Sequence, residues 1–350
     1  MDTASADRLP KPITGTEPLC VVVGAGGFIG INLCKRLQAD GWRVRAFGPG
    51  CRYPEGVADT EWYRGRLSDQ AVLARCLEGV SVVFHLACST VPVTSGKHML
   101  RDLDSDLIGT VRLFESSCDA GVKRIVFLST GGAIYRASAL GVYNEESPTN
   151  PTTAYGVIKL AAEKYLEIYH SQRGVEYVTL RLSNPFGPFQ RLDGVQGVVG
   201  YFLHQAMLGR PLEVWGDGSS VRDYIYVGDV VDALVLAGGS GSSQGVFNIG
   251  SGSGRALIEL IEALETLLSR KLTIFYRPGN PVQPKTNVLN ISAAESSLRW
   301  QPRTSFEQGL RLTKDWLDRL SVVNTSVCMS DKLYNGAQKH SLSREPTSGA

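Results

Sequence analysis

The sequence predicts an α/β fold: a doubly wound parallel sheet with a smaller α/β lobe added to it. Three observations lead there. Apolar strands alternate with amphipathic helices from Leu19 onward, the pattern of a parallel sheet with helices on both faces. A glycine turn, "VVVGAGGFIG", separates the first strand from the first helix, as in a Rossmann-type domain. "VFHLACS" and "RIVFLST" are near-continuous apolar runs, expected of strands buried on both faces.

The elements follow in order. After the strand and helix of "LCVVVGAGGFIGINLCKRL", strands are expected at Val44–Phe47, Trp62–Gly65, Val82–Leu86, Arg124–Ser129 and Tyr177–Leu182. Helices with polar starts and glycine stops fill Ser68–Leu77, before Gly79, and Asp106–Ala120, before Gly121. From about residue 184 the texture changes: "SNPFGPFQRLDGVQG" is a loop, "RALIELIEALETLLS" a strongly amphipathic helix, "LTIFY" a short strand and "RPGNP" a loop. The expected division is a loose leader over 1–17, a dinucleotide-binding domain over 18–183 to which some later segments return, a smaller lobe over 184–320, and a disordered tail over 321–350, where periodicity fades.

Composition narrows the function classes. The 350 residues are 43% hydrophobic, enough for a large core, and the formal net charge of +2 offers nothing to nucleic acid or an acidic membrane surface. No apolar run reaches the length of a membrane span, and "MDTASADRLPKPITGTEP" has no apolar segment of the secretory kind. Cys20, Cys34, Cys51, Cys76, Cys88, Cys118 and Cys328 are odd in number, widely spaced and free of any CxxC. That argues against a disulfide framework or a structural metal and for core thiols in a reducing, cytoplasmic compartment.

Gly24, Gly27 and Gly30 allow a tight turn and close approach of backbone to a pyrophosphate, with the N–H groups of the next helix as donors. NAD or NADP is therefore the expected cofactor. The second strand, "VRAFGPGCR", has Gly48 where NAD sites usually place an acid for the adenosine ribose, and Arg52 follows. A missing carboxylate and a nearby guanidinium admit a 2′-phosphate, so both cofactors stay open.

In "TTAYGVIKL" Tyr155 and Lys159 lie one helical turn apart, on one face. A free phenol has a pKa near 10. An adjacent ammonium and a positively charged nicotinamide are expected to favour phenolate, a shift of about three units requiring ~4 kcal/mol. Such a phenolate removes a proton from an alcohol as hydride passes from the same carbon to NAD(P)+.

From about Leu19 to Leu320 the chain resembles the extended short-chain dehydrogenases/reductases, in the nucleotide-sugar epimerase/dehydratase branch and most nearly its UDP-glucose 4-epimerase-like members. The marks are "GAGGFIG", "VVFHLAC", "GVKRIVFLST", "ESPTNPTTAYGVIK", "RLSNPFGP", "WGDGSSVRDYIYVGDV", "FNIGSG" and "WQPRTSFEQGL". The resemblance implies that Tyr155 and Lys159 are catalytic, with Lys159 also on the nicotinamide ribose, and that Phe28, Ile29, Leu86 and Ala87 join the glycines around the cofactor, slightly favouring NAD. It implies that Asn184 contacts the diphosphate or sugar, that Arg222 clamps the diphosphate through its planar fork, that Arg277 is a second phosphate arginine, and that Trp215 holds the uracil ring. It further implies a homodimer. The helix from Ala154 carries one apolar line through Val157, Ala161 and Ile168 and another through Ile158, Ala162, Tyr165 and Tyr169. One should cover the sheet; the other, with Ile108–Phe114, should meet a second subunit.

Several positions depart from that pattern. Counting back from Tyr135, the usual hydroxyls fall at Gly131 and Ala133, leaving Thr130 as the candidate partner of Tyr155. Dehydratases of the branch carry an acid and a base here; Gly131 and Gly132 supply neither, which disfavours elimination. Arg66, Asp106 and Asn280 replace an Asp, an Asn and an acid. The expected activity is UDP-hexose 4-epimerisation by transient C4 oxidation. The alternatives are an NADPH-dependent nucleotide-sugar reductase, a 4,6-dehydratase and a silent NAD(P)-sensing protein.

Overall fold

The computed structural model describes residues 18–327 apart from 52, 58–59, 91–94, 139–140, 194–196 and 279–284. The leader, Arg52, Asn280, Cys328 and the tail beyond 327 thus lie outside the described residues.

The first half winds strand and helix alternately. β1 (Leu19–Val23), α1 (Phe28–Ala39), β2 (Arg43–Gly48), β3 (Glu61–Arg64), α2 (Gln70–Leu77) and β4 (Val82–His85) are followed by a long helical stretch and β5 (Arg124–Thr130). That stretch opens with α3 (Met99–Asp102), passes through a π-helical segment (Leu103–Ile108) and continues as α4 (Gly109–Asp119). Periodicity alone starts this helix at Asp106. A π segment interrupts the 3.6-residue repeat, so only the part after it shows regular spacing. β6 (Val142–Tyr143), α5 (Ala154–Arg173) and β7 (Glu176–Leu182) complete the half. Thr153 caps α5, its hydroxyl accepting from Gly156 N, and Gly174 ends it at φ 71°, each the favoured residue for its place.

The second half holds β8 (Asn184–Phe186), α6 (Val198–Met207), β9 (Leu212–Trp215), β10 (Val221–Arg222), β11 (Tyr224–Tyr226), α7 (Val227–Gly238), β12 (Gly245–Ile249), β13 (Arg255–Ala256), α8 (Leu257–Leu268), β14 (Ile274–Arg277), β15 (Thr286–Leu289) and α9 (Phe306–Val327). The main sheet is parallel throughout, in the order β12-β7-β5-β4-β1-β2-β3. β12 and α7 thus return to the first domain: α7 packs on α1 and on the sheet face of β4, β5 and β7. One core lies on that side, around Val22, Phe84, Leu180 and Val230; the other lies under α2, α4 and α5, around Val23, Leu77, Phe114 and Leu166. A third core, with Phe202, Leu212, Leu260 and Trp316, holds the lobe together.

Two expectations change. The backbone is helical past Ser321 to Val327; propagation from an anchored helix costs little even where the apolar pattern stops. On α5, Ile158, Ala162 and Leu166 are buried while Val157, Tyr165 and Ile168 are exposed. Tyr165 is thus exposed with Val157 and Ile168 and not buried with Ile158 and Ala162, the line its spacing put it in. Tyr169 is the aromatic that turns inward, edge-on to Phe114.

Candidate functional site

The carboxyl ends of β1, β4 and β5 and the N-terminal turns of α1 and α5 converge on one region, the usual ligand side of an open parallel sheet. The glycine turn lies at its floor. A Cβ on Gly24 would stand 2.7 Å from Ala87 N, and one on Gly30 would stand 2.2 Å from Gly24 O. The turn therefore packs directly on the Leu86–Ala87 backbone and on itself. The N-cap of α1 is Gly27, with no side-chain cap and no acid in the first turn, so the N–H groups there suit an anion. Beside the end of β2, a Cβ on Gly48 or Gly50 would meet nothing within 4 Å. Room is thus left where an acid would stand. These features fit a dinucleotide.

The structure brings Tyr155, Lys159 and Thr130 together. Lys159 is buried, its ammonium 2.8 Å from the Leu128 carbonyl and 4.8 Å from the centre of the Phe127 ring. The Thr130 hydroxyl interacts with the Tyr155 phenol and draws its pKa down, but burial acts more strongly and carries the phenol well above its ordinary value. Lys159 is tied to β5, and in the protein alone burial is the largest influence on the Tyr155 phenol. Cys88 and Asp106, which no spacing in the sequence places in the site, add to the upward shift.

Asp106 sits in the π-helical segment, buried. It accepts from Ser89 N at 2.8 Å, from the Thr90 hydroxyl at 2.8 Å and from the Cys88 thiol at 3.5 Å. The loop leaving β4 is thereby clasped to the helix. His85 at the end of β4 is enclosed, Nε2 lying 2.8 Å from the Thr110 hydroxyl, which itself donates to Asp106 O. Nδ1 has no partner. Burial, with Lys159 nearby, pushes the His85 pKa down to about 3.

Beneath the turn of α5 that carries Tyr155 and Lys159 lies an ion pair. Glu163, one turn past Lys159, has no exposed surface and takes Arg181 of β7 at 2.7 Å and the Ser129 hydroxyl of β5. Arg181 also donates to the Tyr135 hydroxyl, which donates to Asn248 at 2.6 Å. The recurrence of Tyr155, Lys159 and Glu163 at four-residue steps was the signal that could have found it.

The remaining candidates fall into two groups. Asn184 on β8 pairs with β11; its amide and backbone N–H both donate to Asp223 O, at 3.1 and 3.0 Å. Arg222 adjoins Asp223 and donates to the Val221 carbonyl at 2.8 Å. Trp215 and Arg277 are opposite one another in the β9–β14 pair. Trp215 is 65% exposed and so is not a core residue; Arg277 is paired with Glu213 at 2.8 Å.

With this geometry in view, the comparisons are specific. The pattern of the NAD dependent epimerase/dehydratase family matches residues 20–250. The chain is 31% identical over 304 residues to a UDP-glucose 4-epimerase of Mycolicibacterium smegmatis, covering 85% of this chain and 97% of that one. It is 32% identical over 301 residues to a dTDP-4-dehydro-6-deoxyglucose reductase of Escherichia coli, covering 83% and 94%. Among solved structures it is similar to the UDP-glucose 4-epimerase of Thermotoga maritima with UDP-glucose, at a TM-score of 0.82 and 32% identity, covering 86% of this chain and 99% of that one.

Proposed function

Since the chain belongs to the NAD dependent epimerase/dehydratase family, whose relatives here include nucleotide-sugar epimerases, dehydratases and reductases, we propose that it is a UDP-hexose 4-epimerase. One observation carries the choice of epimerase over dehydratase. Thr130, whose hydroxyl bonds the phenol of Tyr155 on α5, ends β5, and the next two residues, Gly131 and Gly132, offer no acid or base for elimination. Asp106 does not replace them, because its oxygens are committed to Ser89, Thr90 and Cys88.

NAD, the cofactor of this family, supplies when bound a hydride acceptor and a positive charge. Gly24, Gly27, Phe28, Ile29 and Gly30 would hold it, with Leu86 and Ala87 alongside and Lys159 at the ribose. Tyr155 takes the proton of the sugar C4 hydroxyl, which Thr130 orients. Burial keeps the phenol protonated in the protein alone, so ionisation accompanies assembly of the charged site. Asn184, Arg222 and Arg277 grip the diphosphate and Trp215 the nucleoside end. The flattened 4-keto ring then turns about its phosphate linkage, so that C4 is reduced from its other face by the hydride it gave up, while Tyr155 returns the proton to the C4 oxygen.

The test follows each UDP-hexose by NMR. Interconversion of gluco and galacto forms, without net change in nicotinamide absorbance and without a new methyl signal, is expected. Stoichiometric consumption of NADPH would assign the chain to the reductases, and a methyl signal to the dehydratases.

A further inference from the structure

Gly131 and Gly132 are adjacent but have opposite surroundings. A Cβ on Gly131 would come within 2.6 and 2.7 Å of the two terminal methyls of Leu289 and 3.1 Å of its Cγ; one on Gly132 would meet only the Thr130 hydroxyl oxygen, at 3.9 Å. The space beside Gly131 is thus filled by another element, while Gly132 stands open next to the hydroxyl. Leu289 has little freedom to yield. It has no exposed surface and packs with Tyr135 and Tyr143. Its strand pairs with β6, and its N–H donates to the buried Asp223 carboxylate at 3.2 Å. Close-packed interiors resist such overlaps.

We infer that Leu289 plugs the place that a side chain at position 131 would occupy, and that this plug fixes Thr130 as the hydroxyl serving Tyr155. Leu289 is a positioning residue: it acts through the end of β5 and carries no chemistry itself. The inference rests on the reading of Tyr155 and Thr130 given above.

A rescue series and a stability cycle separate the two. Thr130→Val is expected to lower turnover about a hundredfold. Adding Gly131→Ser should restore nothing while Leu289 is present; adding Leu289→Ala as well should recover activity about tenfold or more. In parallel, Gly131→Ala should lower the melting temperature by about 3 °C in the wild-type background, and by less in the Leu289→Ala background. If the alanine variant fails to fold, Leu289→Val carries the same comparison. Recovery by Gly131→Ser alone, or an equal loss of melting temperature in both backgrounds, overturns the plug. Wild-type turnover in Thr130→Val overturns the assignment of that hydroxyl, even where the melting cycle shows the two positions coupled.

Discussion

The ammonium of Lys159 donates to the carbonyl oxygen of Leu128 at 2.8 Å, so the lysine is moored to strand β5 and not to the phenol one turn before it. The mooring fixes the first turns of α5 against the strand that carries Thr130. Lys159→Met, which keeps the length of the side chain and loses the charge, should retain the fold and lose turnover by about a hundredfold. Steady-state rates beside a circular-dichroism melt would check both halves.

Tyr155→Phe removes one oxygen from a group whose ionisation the proposed reaction requires. Turnover should fall at least about a hundredfold, with the content of bound dinucleotide unchanged. Wild-type rates on the best UDP-hexose would exclude Tyr155 as the base.

Glu163 and Arg181 are buried on both sides of their contact. Removing one partner strands the other charge, so Glu163→Ala should cost about 3–5 kcal/mol in urea unfolding. Replacing both residues by leucine should cost less than the single change, because no unpaired charge remains.

His85 titrates against folding. Its ordinary value is 6.5 and burial holds it at about 3; a proton on Nδ1 would find no acceptor. Between these values the unfolded chain binds a proton that the folded one does not, so stability falls as the pH drops through that window. At pH 5 the loss is about 2 kcal/mol. His85→Asn should flatten the dependence of melting temperature on pH between 7 and 5; an unchanged slope would assign the effect to other groups.

Assembly is predicted from one face. Val157, Tyr165 and Ile168 on α5 are exposed, as are Met99, Leu100, Leu103 and Ile108 on the neighbouring helical stretch, Leu100 by 83%. Apolar side chains so grouped mark an interaction surface. Sedimentation should give a dimer at micromolar concentration, and Ile168→Glu should shift it to monomer.

Much of this was legible in the order of residue types. The glycine turn, the buried strands β4 and β5 and the Tyr155–Lys159 spacing follow from local rules of turn geometry and periodicity, and the structure has each of these elements. What was hidden depends on contacts far apart in the chain. The aim of Lys159 at Leu128 is set by how α5 lies on β5. Asp106 reaches the surroundings of Tyr155 from a π-helical segment, which erases the spacing that would announce it, and Cys88 reaches them from the loop after β4. Leu289 reaches Gly131 only because β15 lies against β6. Trp215, which composition would send to a core, shares the outer face of β9 with Glu213, while Leu212 and Val214 fill the core.

The seat of β12 at the edge of the main sheet has a consequence for synthesis. β7 is complete at Leu182, but the strand that covers its free side is Gly245–Ile249. A chain leaving the ribosome thus carries a bare edge of five buried-type residues, Val178–Leu182, while the next stretch is translated, about 3–13 seconds at 5–20 residues per second. Open edges of that kind invite pairing with other chains. Nascent chains arrested before Gly245 should therefore depend on a holding chaperone, and those released after Ile249 should not.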